Sequence, residues 1–235
     1  MDKPSYVLVI CAMRSEYESL INKVQQGHPA VISGIEGTVF PIPSGEAFAF
    51  IGSIGKVGTA FTIGRLSEAC QVRAIINSGV AGSVSTEVSP LDVVVADRVA
   101  FHDVDLTAFG NPLGQMDGEP LWYQASPIFI EAAHNITPQR GLQIKFGSII
   151  SGDVFATATN ISNTIIEHFE HPYAIDMESG AVAMCARKLN VPFAIIRSIS
   201  DDSRKGDNVT NYEEFLELAA KHASSVTLWM LNALK

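Results

Sequence analysis

Short apolar runs rich in β-branched residues alternate along the chain with longer stretches of helical periodicity. The run Tyr6–Cys11 predicts a first buried strand, and Glu16–Val24 has apolar residues at helical spacing. Further strands are predicted at Ala74–Asn77, Leu91–Val99, Gln143–Ile150 and Phe193–Ser198, and further helices at Val57–Cys70, Met177–Leu189 and Tyr212–Leu234. This alternation is typical of an α/β fold in which helices cover both faces of a central sheet.

Three stretches rich in glycine or proline interrupt the alternation. Between Gly27 and Gly52, glycines and prolines separate two or three short strands, for which antiparallel pairing is expected. Ser78–Gly82 is predicted to be the loop after the strand Ala74–Asn77, and Phe101–Ser126 is too irregular for a core element. Because no internal repeat, linker or low-complexity tract is found, the sequence predicts a single domain over residues 1–235.

The composition limits the classes of partner. Hydrophobic residues make up 47% and charged residues 17% of the 235 residues, so a large core is expected and disorder is not. Asp and Glu number 25 against 16 Lys and Arg, which gives a formal charge of -9. An acidic surface repels phosphate backbones, so nucleic acid and polyanionic substrates are disfavoured. A neutral or zwitterionic small molecule is the expected partner.

The chain also lacks the signals of membrane insertion, export and metal binding. No apolar run approaches the ~18 residues that a membrane span needs. The apolar run Tyr6–Met13 is followed by a charged segment instead of a small-residue cleavage site, so it is interpreted as a strand and not as a signal peptide. The three cysteines are far apart and form no CxxC, which favours a reducing, cytoplasmic location. The six histidines show no ligand spacing, and neither metal nor cofactor is expected.

Acidic residues follow several predicted strands, where open α/β sheets bind their ligands. They are Glu16, Asp153, Asp176 with Glu178, and Asp201 with Asp202. Each also has a purely structural explanation, as an acid in the first turn of a helix or as a turn residue.

Two other segments could be either functional sites or purely structural loops. His102, Asp103 and Asp105 fit either a metal-binding loop or a loop that hydrogen-bonds to itself. Ser78–Ser83 is rich in glycine but matches no phosphate-binding pattern. The pattern alone therefore predicts an α/β enzyme with a carboxylate-rich cleft.

Six stretches in the same order along nearly the whole chain resemble the bacterial 5'-methylthioadenosine/S-adenosylhomocysteine nucleosidases of the nucleoside phosphorylase superfamily. They are Ser53–Val57, Ile75–Gly79, Phe101–Gly110, Ser151–Phe155, Asp176–Glu178 and Arg197–Asp201. The resemblance implies a three-layer fold with a mixed, twisted central sheet, and a homodimer. It implies hydrolysis of the N-glycosidic bond of 5'-alkylthioadenosines (methylthioadenosine, S-adenosylhomocysteine, 5'-deoxyadenosine) to adenine and a thioribose.

The resemblance also assigns roles to individual residues. Asp201, supported by Ser200, would be the general acid at the purine N7. Glu178 would bind the ribose hydroxyls, and Glu16, with Arg197 nearby, would orient and deprotonate the attacking water. Met177 would lie beside Glu178. Phe155 would stack on the base, and the backbone of Val154 and Ala156 would contact the edge of the base.

The alkylthio group would be surrounded by Ile54, Met13 and Tyr212. Leu106 and Phe109 would enter this part of the pocket from the partner subunit.

Two residues depart from the family pattern. Val80 stands where the family carries a serine that helps to hold the water, and Asp176 often has a glutamate as its counterpart. Val80 cannot hydrogen-bond through its side chain, so either the water is held differently or the substrate has changed. Two other functions stay open: a phosphate-dependent phosphorylase, although the Arg and Ser donors that phosphate needs are missing around Asn77–Val80, and a non-catalytic relative in the same superfamily.

Overall fold

Ten strands and six α-helices make up the secondary structure of the computed structural model, which describes residues 3–138, 141–161, 163–206 and 208–234. The strands are β1 Ser5–Cys11, β2 His28–Ile32, β3 Ile35–Ile42, β4 Gly45–Ile51, β5 Gln71–Ser83, β6 Val93–Phe101, β7 Tyr123–Gln124, β8 Ile144–Ser151, β9 Pro172–Asp176 and β10 Phe193–Asp202. The helices are α1 Arg14–Ile21, α2 Lys56–Ala69, α3 Pro127–His134, α4 Asn163–Glu167, α5 Ser179–Leu189 and α6 Asn208–Ala233. The short 3₁₀ turn Thr107–Phe109 lies in the long segment after β6.

All ten strands belong to one mixed sheet in the order β10-β6-β8-β9-β5-β1-β4-β3-β2, with β7 paired to β6. β10 also pairs with β5, so the strands β5, β9, β8, β6 and β10 close into a ring of pairings. β1 runs parallel to β4 and β5, and β10 runs parallel to β5, whereas β2, β3 and β4 pair antiparallel. The carboxyl ends of β1, β5 and β10 therefore lie side by side at one end of the sheet.

The core lies on both faces of this sheet. Side chains alternate along β1, where Leu8 and Ile10 pack on one face and Val7 and Val9 on the other. α2 and α5 pack on the first face, and α1, α3 and α6 on the second. The predicted fold class, a mixed sheet between two layers of helices, is confirmed. No helix among the described residues is long and apolar enough to cross a membrane.

Two strand ends differ from the prediction. Ser78–Gly82 is not a loop but the second half of β5, and β10 continues from Ser198 through Asp202. These halves pair with each other, with Ser78 opposite Ile196 and Gly82 opposite Asp201. Glycine and serine have low strand propensity and suggested loops, but here the ladder between two buried strands supplies the hydrogen bonds that stabilise them. α3 was not predicted at all.

Candidate active site

A cleft with a cavity volume of about 120 Å³ opens where β1, β5 and β10 end. It is lined by Ala12, Met13, Glu16, Ile54, Val80, Ala81, Gly82, Val154, Phe155, Ala156, Ile175, Asp176, Met177, Glu178, Ser200, Asp201, Ser203 and Tyr212. Twelve of the fifteen site residues that were named from the sequence therefore line this one pocket. The other three are Arg197, Leu106 and Phe109.

Glu16 is buried at the floor of the pocket, with 3% of its surface exposed. As the third residue of α1 it accepts hydrogen bonds at Oε2 from the backbone N–H groups of Ala12 (2.8 Å) and Met13 (3.0 Å), which satisfies N–H groups at the helix start. Its Oε1 accepts from the N–H of Val80 on β5 (3.0 Å). Burial raises the pKa of Glu16, against the opposing effects of Arg197 and the three N–H donors. The carboxylate is thus rigidly held in the pocket, and it also stabilises its helix.

Arg197 lies beneath the pocket and not on its surface, with no exposed area. Its Nε donates to Asp176 Oδ2 (2.6 Å), and its Nη2 donates to Asn77 Oδ1 (2.5 Å) and Glu178 Oε2 (3.1 Å). Its Nη1 has no hydrogen-bond partner among the described residues and points to the region of Gly79 and Glu16. Asp176, Glu178 and Glu16 raise the pKa of Arg197 further above its usual range, against the effect of burial. One fixed cation therefore neutralises part of the charge of the acidic pocket.

Glu178 occupies the N-cap position of α5 but does not cap that helix with its side chain. Its Oε1 accepts from the backbone N–H of Gly55 (2.9 Å), and its Oε2 from Arg197. Burial raises the pKa of Glu178 to about 7; Arg197 and the Gly55 N–H lower it, and Asp176 and Glu16 raise it. The helix-terminal role falls to Asp176, which accepts from the N–H and the hydroxyl of Ser179. The sequence pattern gave Asp176 and Glu178 the same structural explanation. In the structure, Asp176 accepts hydrogen bonds at the start of α5, whereas Glu178 bonds to Gly55 and Arg197.

Asp201 follows an irregularity in the pairing of β10 with β5, at Ser200. Such bulges re-aim side chains next to functional sites. The hydroxyl of Ser200 donates to Asp201 Oδ1 (2.8 Å), and that of Ser203 lies 3.5 Å from Oδ2. Asp201 is 1% exposed and lines the pocket. The next residue, Asp202, is a turn acid that pairs with Arg204 (2.8 Å). Of these two neighbouring acids, Asp202 therefore fits the explanation as a turn residue, and Asp201 lines the pocket.

Apolar side chains line the pocket beside the carboxylates. Phe155 and Tyr212 meet edge to face with ring centroids 5.4 Å apart, and the Tyr212 hydroxyl donates to Met13 Sδ (3.2 Å). Val80 forms a buried apolar cluster with Ala219 and Ala220 of α6, and Met13 and Tyr212 pack against this cluster. These side chains suit a hydrophobic group.

The comparisons with known proteins agree with this geometry. A family model described as the phosphorylase superfamily matches residues 6–232. A 5'-methylthioadenosine/S-adenosylhomocysteine nucleosidase of Bacillus thuringiensis is 34% identical over 230 residues, which cover 97% of this chain and 99% of that protein. The chain belongs to the 5'-methylthioadenosine/S-adenosylhomocysteine nucleosidase family of the phosphorylase superfamily.

Solved structures give the same family. The nucleosidase of Streptococcus pneumoniae with the transition-state inhibitor MT-ImmA superposes with a TM-score of 0.90 at 33% identity, over 98% of this chain and 100% of that chain. The futalosine hydrolase of Helicobacter pylori superposes with a TM-score of 0.88 at 27% identity, over 98% of each chain. The nucleosidase fold is therefore shared with relatives of at least two named substrate types.

Leu106 and Phe109 lie outside the pocket of this nucleosidase-family chain. Leu106 packs against the core of its own subunit, and Phe109 is 84% exposed. The segment Phe101–Ser126 that carries them is largely irregular, as predicted.

Asp103 and Asp105 do not form a metal site. Asp103 accepts from Lys56 and from the backbone of Asp153, and Asp105 accepts from Thr107. Across the residues that the structure describes, no group of three or more His, Cys, Asp or Glu is arranged to hold a metal ion. The interpretation as a loop that hydrogen-bonds to itself fits the Asp105–Thr107 contacts, whereas Asp103 bonds to two other segments.

Several pocket residues were missed in the sequence: Ala12, Ala81, Gly82, Ile175 and Ser203. Ala81 and Gly82 belong to the unpredicted half of β5. The Ser203 hydroxyl lies 2.1 Å from where a Cβ on Gly82 would be, so Gly82 permits the close approach of the 201–203 segment. A glycine directly opposite a Ser-Asp pair is the one signal that could have indicated this contact.

Proposed function

We propose that this protein is a hydrolase that cleaves the N-glycosidic bond of 5'-alkylthioadenosines, such as methylthioadenosine and S-adenosylhomocysteine, and releases adenine and a thioribose. The observation that carries the proposal is the convergence of three buried carboxylates, Glu16, Glu178 and Asp201, on a pocket that apolar side chains also line. The named activities of the relatives support it. Three free cysteines (Cys11, Cys70 and Cys185) support a cytoplasmic location.

Asp201 would act on the leaving group. As the C1'–N9 bond breaks, its electron pair moves into the purine, and a proton delivered to N7 makes adenine a neutral leaving group. A carboxyl must be protonated to do this, and burial favours the neutral form of an acid. The Ser200 hydroxyl donates to Oδ1, and the Ser203 hydroxyl lies 3.5 Å from Oδ2, so hydrogen bonds orient the carboxyl in the pocket.

Glu178 and Glu16 would act on the sugar. Glu178 would accept hydrogen bonds from the ribose hydroxyls, and its negative charge would stabilise the oxocarbenium ion that develops at C1'. Glu16 would take a proton from the water that attacks C1'. Because three backbone N–H groups hold the Glu16 carboxylate, its position is fixed before the substrate binds.

A phosphorylase reaction fits the pocket less well. A phosphate dianion would have to approach the carboxylates of Glu16 and Glu178. Arg197 has no exposed area and does not line the pocket, so its guanidinium is not presented to a bound phosphate. Val80 offers no hydroxyl to hold it. Water, which is uncharged, meets no such repulsion.

The proposal is tested by adenine release from a panel of 5'-substituted adenosines, with and without phosphate and with a chelator. The panel includes methylthio, homocysteinyl, 5'-deoxy and futalosine-type nucleosides. We expect fast release from the alkylthio substrates that neither phosphate nor chelator changes. Strict dependence on phosphate, or preference for a futalosine-type nucleoside, would contradict the reaction or the substrate assignment respectively.

We also propose a homodimer in which Leu106 and Phe109 enter the pocket of the partner. Val57 and Phe61, one turn apart on α2, are 79% and 64% exposed, and Phe109 is 84% exposed. Large apolar side chains grouped on a surface mark interaction sites. Covering them with a second copy would remove them from water and complete the pocket.

Phe61→Asp is expected to give a monomer in sedimentation, because a buried charge would be unpaired in the interface. The monomer should lose activity, whereas Ile128→Asp, at another exposed apolar position on α3 (53% exposed), should remain a dimer. A wild-type monomer with full activity would contradict the proposal.

Val80→Ser tests whether the valine that replaces the serine of the family pattern changes how the attacking water is held. Because Val80 packs on Ala219 and Ala220, we expect the new hydroxyl to lie among apolar atoms and turnover of methylthioadenosine to fall or stay unchanged. Val80→Thr keeps the shape and should retain more activity than Val80→Ser. A gain of roughly two- to tenfold in both variants, the worth of one hydrogen bond, would instead show that a hydroxyl positions the water.

A further inference from the structure

Three loops at the rim of the pocket meet in a cluster of charged side chains, Lys56, Asp103 and Asp153, which is called the loop clamp below. Lys56 Nζ donates to Asp103 Oδ2 (2.6 Å) and lies 3.8 Å from Asp153 Oδ2. The backbone closes the cluster, since Asp153 Oδ1 accepts from the N–H of Lys56 (2.7 Å) and Asp103 Oδ2 from the N–H of Asp153 (2.9 Å). None of the three residues lines the pocket.

Each joined loop carries a part of the pocket or of the proposed interface. Gly55, next to Lys56, donates its N–H to Glu178 Oε1, and Phe155 follows Asp153 by two residues. The loop of Asp103 continues to Leu106 and Phe109. Gly55 has φ 85°, and a Cβ there would lie 2.8 Å from Asp153 Oδ1, so the contact requires glycine.

We propose that the loop clamp is a positioning site for the reaction: it holds the Gly55 N–H on Glu178 and the Phe155 side of the pocket in place. The inference rests on the proposed function of Glu178. Lys56 acts only through its neighbours, because its ammonium group contacts the two aspartates outside the pocket.

The consequence is a defined effect on the ionisation of Glu178. Burial raises the pKa of Glu178 to about 7; Arg197, Asp176, Glu16 and the Gly55 N–H are the groups that act on it, and Arg197 and Gly55 lower it. Loss of the Gly55 hydrogen bond removes a contact to the charged form and raises this pKa further. The neutral acid loses its charge next to C1', so activity should fall on the acid side of the profile.

The pKa of Asp103 and that of the neighbouring His102 both move away from neutral pH. Burial raises the pKa of Asp103, but hydrogen bonds from Lys56 and Asp153, together with the charges of Lys56 and His102, outweigh burial and lower this pKa. Burial lowers the pKa of His102, as does the charge of Lys56, against the charges of Asp103 and Asp176. Titration of Asp103 or His102 is therefore not expected to change the kcat/KM profile above neutral pH.

The test compares Lys56→Met with the charge-retaining Lys56→Arg and with Lys188→Met. The last variant removes a pair with Glu119 at the far end of α5. In Lys56→Met we expect the acid limb of the kcat/KM profile to move up by about one pH unit. That shift gives about tenfold lower kcat/KM at pH 6 and a change within about threefold at pH 9. Lys56→Arg and Lys188→Met should keep the wild-type limb, and the melting temperature should report that all variants are folded.

Titration of the ¹³C-labelled Glu178 carboxyl by NMR, assigned with Glu178→Gln, gives the same answer without turnover. A Glu178 pKa in Lys56→Met equal to that of the wild type would overturn the proposal, as would a uniform loss of kcat/KM at every pH. Absence of adenine release by the wild type would contradict the proposed function instead, while the NMR titration still decides on the clamp.

Discussion

Asp201→Asn is expected to lower the turnover of methylthioadenosine by ~10²–10⁴-fold, the usual contribution of general acid catalysis, with little change in ligand affinity. Asparagine has the same shape, and its Oδ1 can still accept from the Ser200 hydroxyl as in the structure. Its amide can donate a hydrogen bond to N7 but cannot transfer a proton as the C1'–N9 bond breaks. Single-turnover adenine release and calorimetric binding of a non-hydrolysable analogue measure the two quantities.

Asp202→Asn is the matched control, because Asp202 pairs with Arg204 and does not line the pocket. It should keep turnover within about threefold of the wild type, since its neutralisation removes only a partly exposed ion pair. Turnover of Asp201→Asn within a few-fold of the wild type would remove Asp201 from the role of general acid.

Glu16→Gln is expected to lower turnover by ~10²–10⁴-fold as well, because an amide cannot take a proton from the attacking water. The loss of turnover should also be larger than the loss that removal of the negative charge alone would cause. Both carboxylate oxygens accept backbone N–H groups, from Ala12, Met13 and Val80. An amide NH₂ would face one of these donors and misplace the side chain.

Glu18→Gln provides the control on the same helix, since Glu18 is exposed and pairs with the exposed Arg14 (3.5 Å). We expect it to have wild-type activity and stability. If Glu16→Gln, like Glu18→Gln, keeps its turnover within about threefold of the wild type, another group activates the water.

Much of the site could be predicted because strands and their following polar residues are local signals. Glu16 comes five residues after Cys11, and Asp201 three after Ser198, so strand ends alone placed both near a cleft. The parallel pairing of β1, β5 and β10 then brings them together. The ionisation of the site could not be predicted, since the pKa of Glu178 depends on Arg197 and on Gly55 more than one hundred residues earlier.

The errors have a common physical cause. Ser78–Gly82 and residues 199–202 each contain a single β-branched residue, Val80 and Ile199. Their glycine, serine and aspartate residues therefore indicated loops, and their mutual pairing makes them strands. Arg197 was expected near Glu16, and its Nη1 does point to the region of Gly79 and Glu16. Its complete burial and its pairs with Asp176 and Glu178 follow from the tertiary fold and could not be predicted. For Val80, the sequence shows that the residue cannot hydrogen-bond through its side chain, but it does not show that Val80 packs with Ala219 and Ala220 of α6.

The most direct test of the central claim is the fate of oxygen when methylthioadenosine is cleaved in H₂¹⁸O with phosphate present. Mass spectrometry of the early products would follow one ¹⁸O atom into the thioribose, before exchange through the open-chain aldehyde. Hydrolysis assisted by Glu16 predicts ¹⁸O-labelled methylthioribose, unlabelled adenine and no sugar phosphate. A methylthioribose 1-phosphate as the first product, or no cleavage at all, would contradict the account.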